Sequence, residues 1–457
     1  MPATVTRQPS SQPSSAPTGR VVRGCRWGLG GAVFVVAAAM VVPPVTGWDV
    51  RATGSLPHTV APLYAAFRPV VGIGTPFAMV LGFAGVRYGP ALAARLTWRR
   101  LLVGAYAGGL AWTLALAFVS GPGGLSRATS SHGEYLYSAR RVHDLHALLQ
   151  GYVARIPLSS PDNWPTHPAG HPPGALLFFV LLVHLGLGAA FATGLVITLI
   201  GTSTPVAVLV TLRRLGEEET ARRAAPFLVL TPAVLWMAVT ADAMFSAVGA
   251  WGVAALSVAA TTDRAGLRWG GAATAGLLLG LLPTLSYGLV LYATLAFAVP
   301  ALTRAWRLLP TVALVAVLPV LALAAGGFVW WEAYPVLRDR YWDGIASSRP
   351  TAYWLWADLA SLALCAGPML GAGLGALVAR GREASRAARY LVAAAGSSIV
   401  VADASLMSKG EVERIWLPFV PWLLVSMALL PARWRRPALV VQVVVALLLE
   451  HLLDTVW

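Results

Sequence analysis

The chain has 457 residues, 57% of them hydrophobic and only 12% charged, with a mean hydropathy of +0.68. Soluble domains carry about 25% charge, so the composition excludes a soluble protein with a single anchor and indicates an all-α polytopic membrane protein. The net charge of +15 is almost wholly arginine, with Lys409 the one lysine. The arginines fall in short clusters between apolar runs, so the charge reads as membrane topology and not as nucleic-acid binding.

In chain order, residues 1–22 read as a disordered cytoplasmic tail, opening on Ser, Pro, Thr and Gln. The first apolar run is long enough to span and no clear cleavage site follows it, so a retained helix is expected. Apolar segments then recur at 27–45, 69–86, 101–119, 190–212, 225–239, 243–260, 270–282, 285–302, 308–327, 351–379, 390–406, 416–430 and 438–453. Counted one by one they predict a transmembrane helical bundle of about thirteen spans. The closely joined pairs at Asp242 and Pro283 are each also readable as one broken helix. Residues 23–119 are read as N-terminal membrane helices and 120–189 as an outer loop of catalytic type with juxtamembrane helices. Residues 190–457 are read as the main bundle, with outer loops at 328–350 and 407–415.

Arginine clusters lie at 20–26, 87–100, 213–223, 264–268, 304–307, 380–389 and 433–436. All fall on one side if the short run 174–187 lies at the outer interface instead of crossing. The positive-inside rule makes that side cytoplasmic. The polar loops at 47–58, 121–173, 328–350 and 407–415 are then extracytoplasmic, on a multi-pass protein of the cytoplasmic membrane. Cys25 precedes the first span and Cys365 lies inside a later one, so no disulfide is expected.

The stretch 121–173 is a polar island holding most of the histidines. A loop of that length is usually functional or disordered; its periodicity and aromatics favour order. Val142, Leu145, Leu149, Tyr152 and Val153 recur at helical spacing, which predicts an amphipathic interfacial helix. Glu134 precedes it in Ser131-His132-Gly133-Glu134. This is either a capping box or a carboxylate able to take a proton from an acceptor hydroxyl. Asp144 and Asp162 are the other carboxylates able to fill that role, the second in a Pro-Asp-Asn turn. Trp164 suits a sugar face or the interfacial belt. His167 and His171 bracket Pro168 and Gly170, which argues against a helical metal pair and for holding a hydroxyl or phosphate. No metal ligand set is assigned.

Further along, 328–350 interleaves aromatics with charge. Trp331, Glu332 and Trp342 suit sugar or acceptor binding, and Arg338 and Arg340 suit phosphate. Lys409 and Arg414 place positive charge on the outer side, against the topology rule, and form a candidate phosphate cradle with His171. Asp242 reads as a helix N-cap at an outer turn. Asp358 and Asp403 lie in or near apolar spans, where a carboxylate is costly.

Taken together, Gly133-Glu134-Tyr135, His171-Pro172-Pro173-Gly174, Arg213-Arg214-Leu215-Gly216, Thr240-Ala241-Asp242-Ala243-Met244-Phe245 and Arg414-Ile415-Trp416-Leu417-Pro418 resemble the GT-C superfamily of multi-spanning glycosyltransferases. The pattern is nearest that of protein-O-mannosyltransferase and aminoarabinose-transferase relatives. The resemblance covers roughly residues 121–430 in order and spacing. It departs in two ways: Glu134 has no neighbouring acid, and the loop follows the third span instead of the first. It implies a polyprenyl-phosphate sugar donor and an extracytoplasmic glycan, lipid or protein acceptor. Glu134, Asp144 or Asp162 would be the base, and His171, Lys409 and Arg414 would hold phosphate. No cofactor is expected, and a divalent cation is compatible but optional. A lipid-linked glycan flippase is the main rival, and a small-solute transporter the second. The Ala- and Arg-rich usage points to a GC-rich bacterium of actinobacterial kind.

Overall fold

The computed structural model describes residues 19–52 and 59–455. The predicted tail lies outside them as far as residue 18, and 53–58 of the first outer turn also falls outside. Residues 19–22 and Cys25 already belong to the first helix, α1 (Gly19–Thr46). The structure is 77% helical, as an all-α membrane protein requires. Helices α2 (Thr75–Arg95) and α3 (Trp98–Ala117) form an antiparallel hairpin. The polar island follows as α4 (Tyr135–Ala139), α5 (Leu145–Gly151) and α6 (Thr166–Gly170), and then the apolar α7 (Pro173–His184).

The bundle continues through α8 (Ala190–Gly201), α9 (Thr204–Arg214), α10 (Glu218–Val229), α11 (Val234–Met237), α12 (Ala241–Thr261) and α13 (Ala265–Leu285). Next come α14 (Ala293–Thr303), α15 (Leu309–Ala325), α16 (Trp330–Asp343) and α17 (Ile345–Ser348). The last helices are α18 (Thr351–Ala366), α19 (Met369–Arg380), α20 (Arg386–Ala404), α21 (Val412–Ile415), α22 (Val420–Leu424) and α23 (Ala432–Leu452).

Among the described residues, eight helices are long and apolar enough to cross a membrane, and α18 with α19 adds a pair bent by 100°. The count of thirteen is therefore not reproduced, and proline explains part of the gap. Segment 225–239 splits because Pro232, which has no N–H, follows the end of α10. Segment 416–430 breaks into short turns around Pro418 and Pro421. At about 1.5 Å per residue, such pieces are too short to cross a bilayer alone. The expected loop at 328–350 is mostly the helix α16.

Burial separates centre from periphery. The apolar window of α12 is 72% buried, those of α1 and of the span containing α15 only 11%. Helix α1 lies along α18 and α19. Gly24 and Gly28 face Gly371 and Gly375 so closely that a Cβ on any of them would collide with a carbonyl oxygen across the contact. This close approach is typical of small residues at membrane helix crossings. A short strand β1 (Ala66–Phe67) pairs antiparallel with β2 (Leu453–Asp454). Arg68 and Arg127 reach Asp454 at 3.0 and 2.7 Å, tying the end of α23 to the polar island.

Candidate functional site

Glu134 is the extended residue immediately before α4, and its side chain makes no capping bond. The capping-box expectation therefore fails. The carboxylate instead turns inward, with Oε1 3.1 Å from His167 Nε2. His167 sits on α6, whose start is pinned by its own backbone N–H donating to the Gly133 carbonyl at 3.0 Å. Arg414 Nη1 lies 3.2 Å from Nδ1 and 3.5 Å from Nε2 of the same ring.

Arg414 comes from α21. Its Nε lies 3.6 Å from Asp242 Oδ2 and its Nη2 3.5 Å from Glu411 Oε2. Asp242 is the second residue of α12, where the helix dipole favours a carboxylate; the residue at the cap is Thr240. Glu411, in a left-handed backbone conformation at φ 62°, also pairs with Arg349 at 3.2 Å. Arg349 in turn donates to the carbonyls of Arg51, Ala52 and Lys409. Glu134, His167, Asp242, Arg349 and Arg414 are all 8% exposed or less. A buried ionic network of this kind tolerates no missing partner.

Burial opposes ionisation of Glu134, but the facing His167 ring, Arg414 and His171 outweigh it and hold the carboxyl below the usual glutamate value. His171 goes the other way. Burial, with His167 and Arg414 beside it, pushes the ring down to about 3, and its Nδ1 is 3.0 Å from the His167 carbonyl. Its ring packs between Tyr135 and Phe245.

The remaining sequence candidates scatter. Asp144 is exposed and caps α5, accepting from the N–H groups of His146 and Ala147 at 2.8 and 3.0 Å. It also marks a break between α4 and α5, so the single amphipathic helix expected there is two short ones. Asp162 is on an exposed turn, bound through its carbonyl to Arg155. Trp164 is 2% exposed and covered by Arg155, 3.5 Å from the ring, so it is core and not an open sugar platform. Arg340 clamps the carbonyls of Ile156 and Trp164. Arg338, Trp331 and Glu332 are exposed, with Arg338 3.8 Å from Asp339. Lys409 Nζ donates to the Ala346 and Arg349 carbonyls and lies 4.4 Å from the Trp342 ring centroid. It locks α16 and α17 down and does not face Glu134 through any of these bonds.

Trp330 stacks with Tyr334, and both pack against the buried Tyr287. Asp242, Glu411 and Arg349 complete the site, and sequence reasoning gave none of them a catalytic-site role. Asp242 carried one signal, its place in the Thr240-Ala241-Asp242-Ala243-Met244-Phe245 segment, and Arg349 another, a cation on the side that the topology rule reads as outer. Both cysteines are free and buried. Among the described residues, no three His, Cys, Asp or Glu side chains gather in a way that could hold a metal ion.

Fold and site together define an all-α helical membrane protein with a buried ionic cluster assembled from distant stretches of chain. The chain matches no family model, no curated protein and no solved structure.

Proposed function

We propose that this protein is an integral membrane glycosyltransferase of GT-C type. It would move a sugar from a polyprenyl-phosphate donor to an extracytoplasmic acceptor, either an envelope glycan, a lipid or a protein hydroxyl. The observation that carries the reading is the meeting of Glu134, His167, Asp242 and Arg414, from four separate stretches, in one buried cluster. These stretches belong to or adjoin the segments that resemble that superfamily. The arginine-rich turns are read as cytoplasmic and the cluster as facing outward, in the cytoplasmic membrane.

In the proposed step, the acceptor hydroxyl gives its proton to Glu134 and its oxygen attacks the anomeric carbon. The bond from that carbon to the phosphate oxygen breaks, and its electron pair leaves on the polyprenyl phosphate, with inversion. Glu134 is held ionised and therefore able to accept the proton. Arg414 is the one predicted phosphate-binding cation that lies against the Glu134–His167 pair. The charge developing on the leaving group would draw on it. Trp331 and Trp342, both exposed, and Trp330 stacked with Tyr334 offer aromatic surface for a sugar.

Glu134→Gln keeps the shape and removes the base. Transfer should fall by about 10²–10⁴-fold, read by mass spectrometry of envelope glycans in cells carrying the variant. Normal glycan output from Glu134→Gln, together with unchanged membrane abundance, would sink the enzyme reading and favour a flippase, which needs cations but no base.

A further inference from the structure

A groove of about 410 Å3 opens between α2, α3 and α10, remote in sequence from the ionic cluster. Its lining includes Gly89, Gly104, Gly108, Trp112 and Pro226. Glycine inside a helix costs about 1 kcal/mol relative to alanine, so each one calls for a reason. At the α1–α19 crossing the reason is steric. In the groove it is steric for Gly85, whose Cβ would meet Leu230 Cδ1 at 2.5 Å, and not for three others. A Cβ on Gly89 would find Pro226 at 3.9 Å, one on Gly104 would find Leu96 at 3.8 Å, and one on Gly108 would find nothing within 4 Å. None of the three has a positive φ. Neither packing nor backbone needs these glycines, and what they provide is room.

The charge around the groove says for what. Trp112 lines one end of it, fully buried. At the opposite end, the turn between α2 and α3 carries exposed Arg95, Arg99 and Arg100. Glu218, at the start of α10, is already taken up by Arg213 and Arg222. Arg222 also donates to the Ala93 and Leu96 carbonyls, at residues that line the groove. The rim is therefore cationic where the positive-inside rule puts the cytoplasmic leaflet.

We infer that this groove binds the acyl chain of an anionic glycerophospholipid of the inner leaflet, with its phosphate on the Arg95–Arg100 rim. The site is independent of the transfer chemistry proposed above.

The test compares purified protein in nanodiscs of dioleoylphosphatidylglycerol and of dioleoylphosphatidylcholine. Thermal midpoint is measured together with phospholipid retained on delipidation, by native mass spectrometry. The anionic lipid should raise the midpoint by several degrees and be retained. Gly108→Leu fills the groove, and Arg99→Gln with Arg100→Gln removes the rim charge. Each should lower retention by about tenfold, roughly 1.4 kcal/mol. Gly108→Ala, which adds one methyl in open space, serves as the folded control. Equal midpoints in the two lipids would overturn the inference. So would full retention by Gly108→Leu or by the double glutamine variant, or recovery of a polyprenyl phosphate in place of a glycerophospholipid.

Discussion

Arg414 divides its donors among His167 and Asp242, brought from two other places, and Glu411, three residues before it. Removing it strands buried carboxylates. Arg414→Gln should cost about 3–5 kcal/mol, the usual penalty for breaking a buried pair from one side, read as a lowered thermal midpoint of the purified protein. Its chain neighbour Glu413 behaves differently. It is 1% exposed, accepts from the Tyr64 N–H at 3.3 Å, and has its second oxygen without a partner among the described residues. Burial raises its carboxyl to about 7. The folded form therefore holds a proton that the unfolded chain releases near pH 4.3. Between those two values stability falls by about 1.4 kcal/mol per pH unit. Glu413→Gln should flatten that slope and leave the variant more stable than the parent at pH 8, as thermal scans across pH 5–8 would record. Glu134 has the opposite sign: with a depressed carboxyl, its contribution is kept above the ordinary glutamate range and lost only as pH falls through its own lower value.

Among the elements, the glycines give a paired prediction. Gly28→Ala places a methyl against the Gly371 carbonyl and should lower the thermal midpoint; Gly108→Ala, into open space, should hold or raise it. The polar island gives another. Asp144→Ala removes a cap on α5 and should lower the thermal midpoint slightly, and it should leave glycan output unchanged because the carboxylate is exposed and engaged with its own helix. The sequence shows why Asp144 and Glu134 are easily confused. Both precede apolar periodicity at spacings that suit a cap, and only the tertiary contact to His167 separates them. The 3.6-residue pattern ran straight through 140–144, yet the chain breaks there. Periodicity records which residues face the core and is silent on whether the helix between them continues.

For the whole molecule, composition alone made the all-α membrane class legible, because no other class tolerates so little charge. The number of crossings was less legible. Hydropathy counts apolar length, and several apolar stretches here are bent or broken into pieces shorter than a span. The orientation read from arginine is testable in cells. A cysteine replacing exposed Asp162 should react with an impermeant maleimide from outside. One replacing Arg382 should react only after permeabilisation. Both native cysteines are buried, which keeps the background low.

Lys409 has a consequence for how this protein can be handled. It is the one lysine in the chain, and its ammonium lies beneath Trp342, spent on two carbonyls. Amine-directed acylation, which decorates most proteins at random, has a single side-chain target here, shielded for as long as α16 and α17 stay seated. The rate at which that lysine acquires a label is therefore a clock for the lifting of those two helices, readable without inserting any probe.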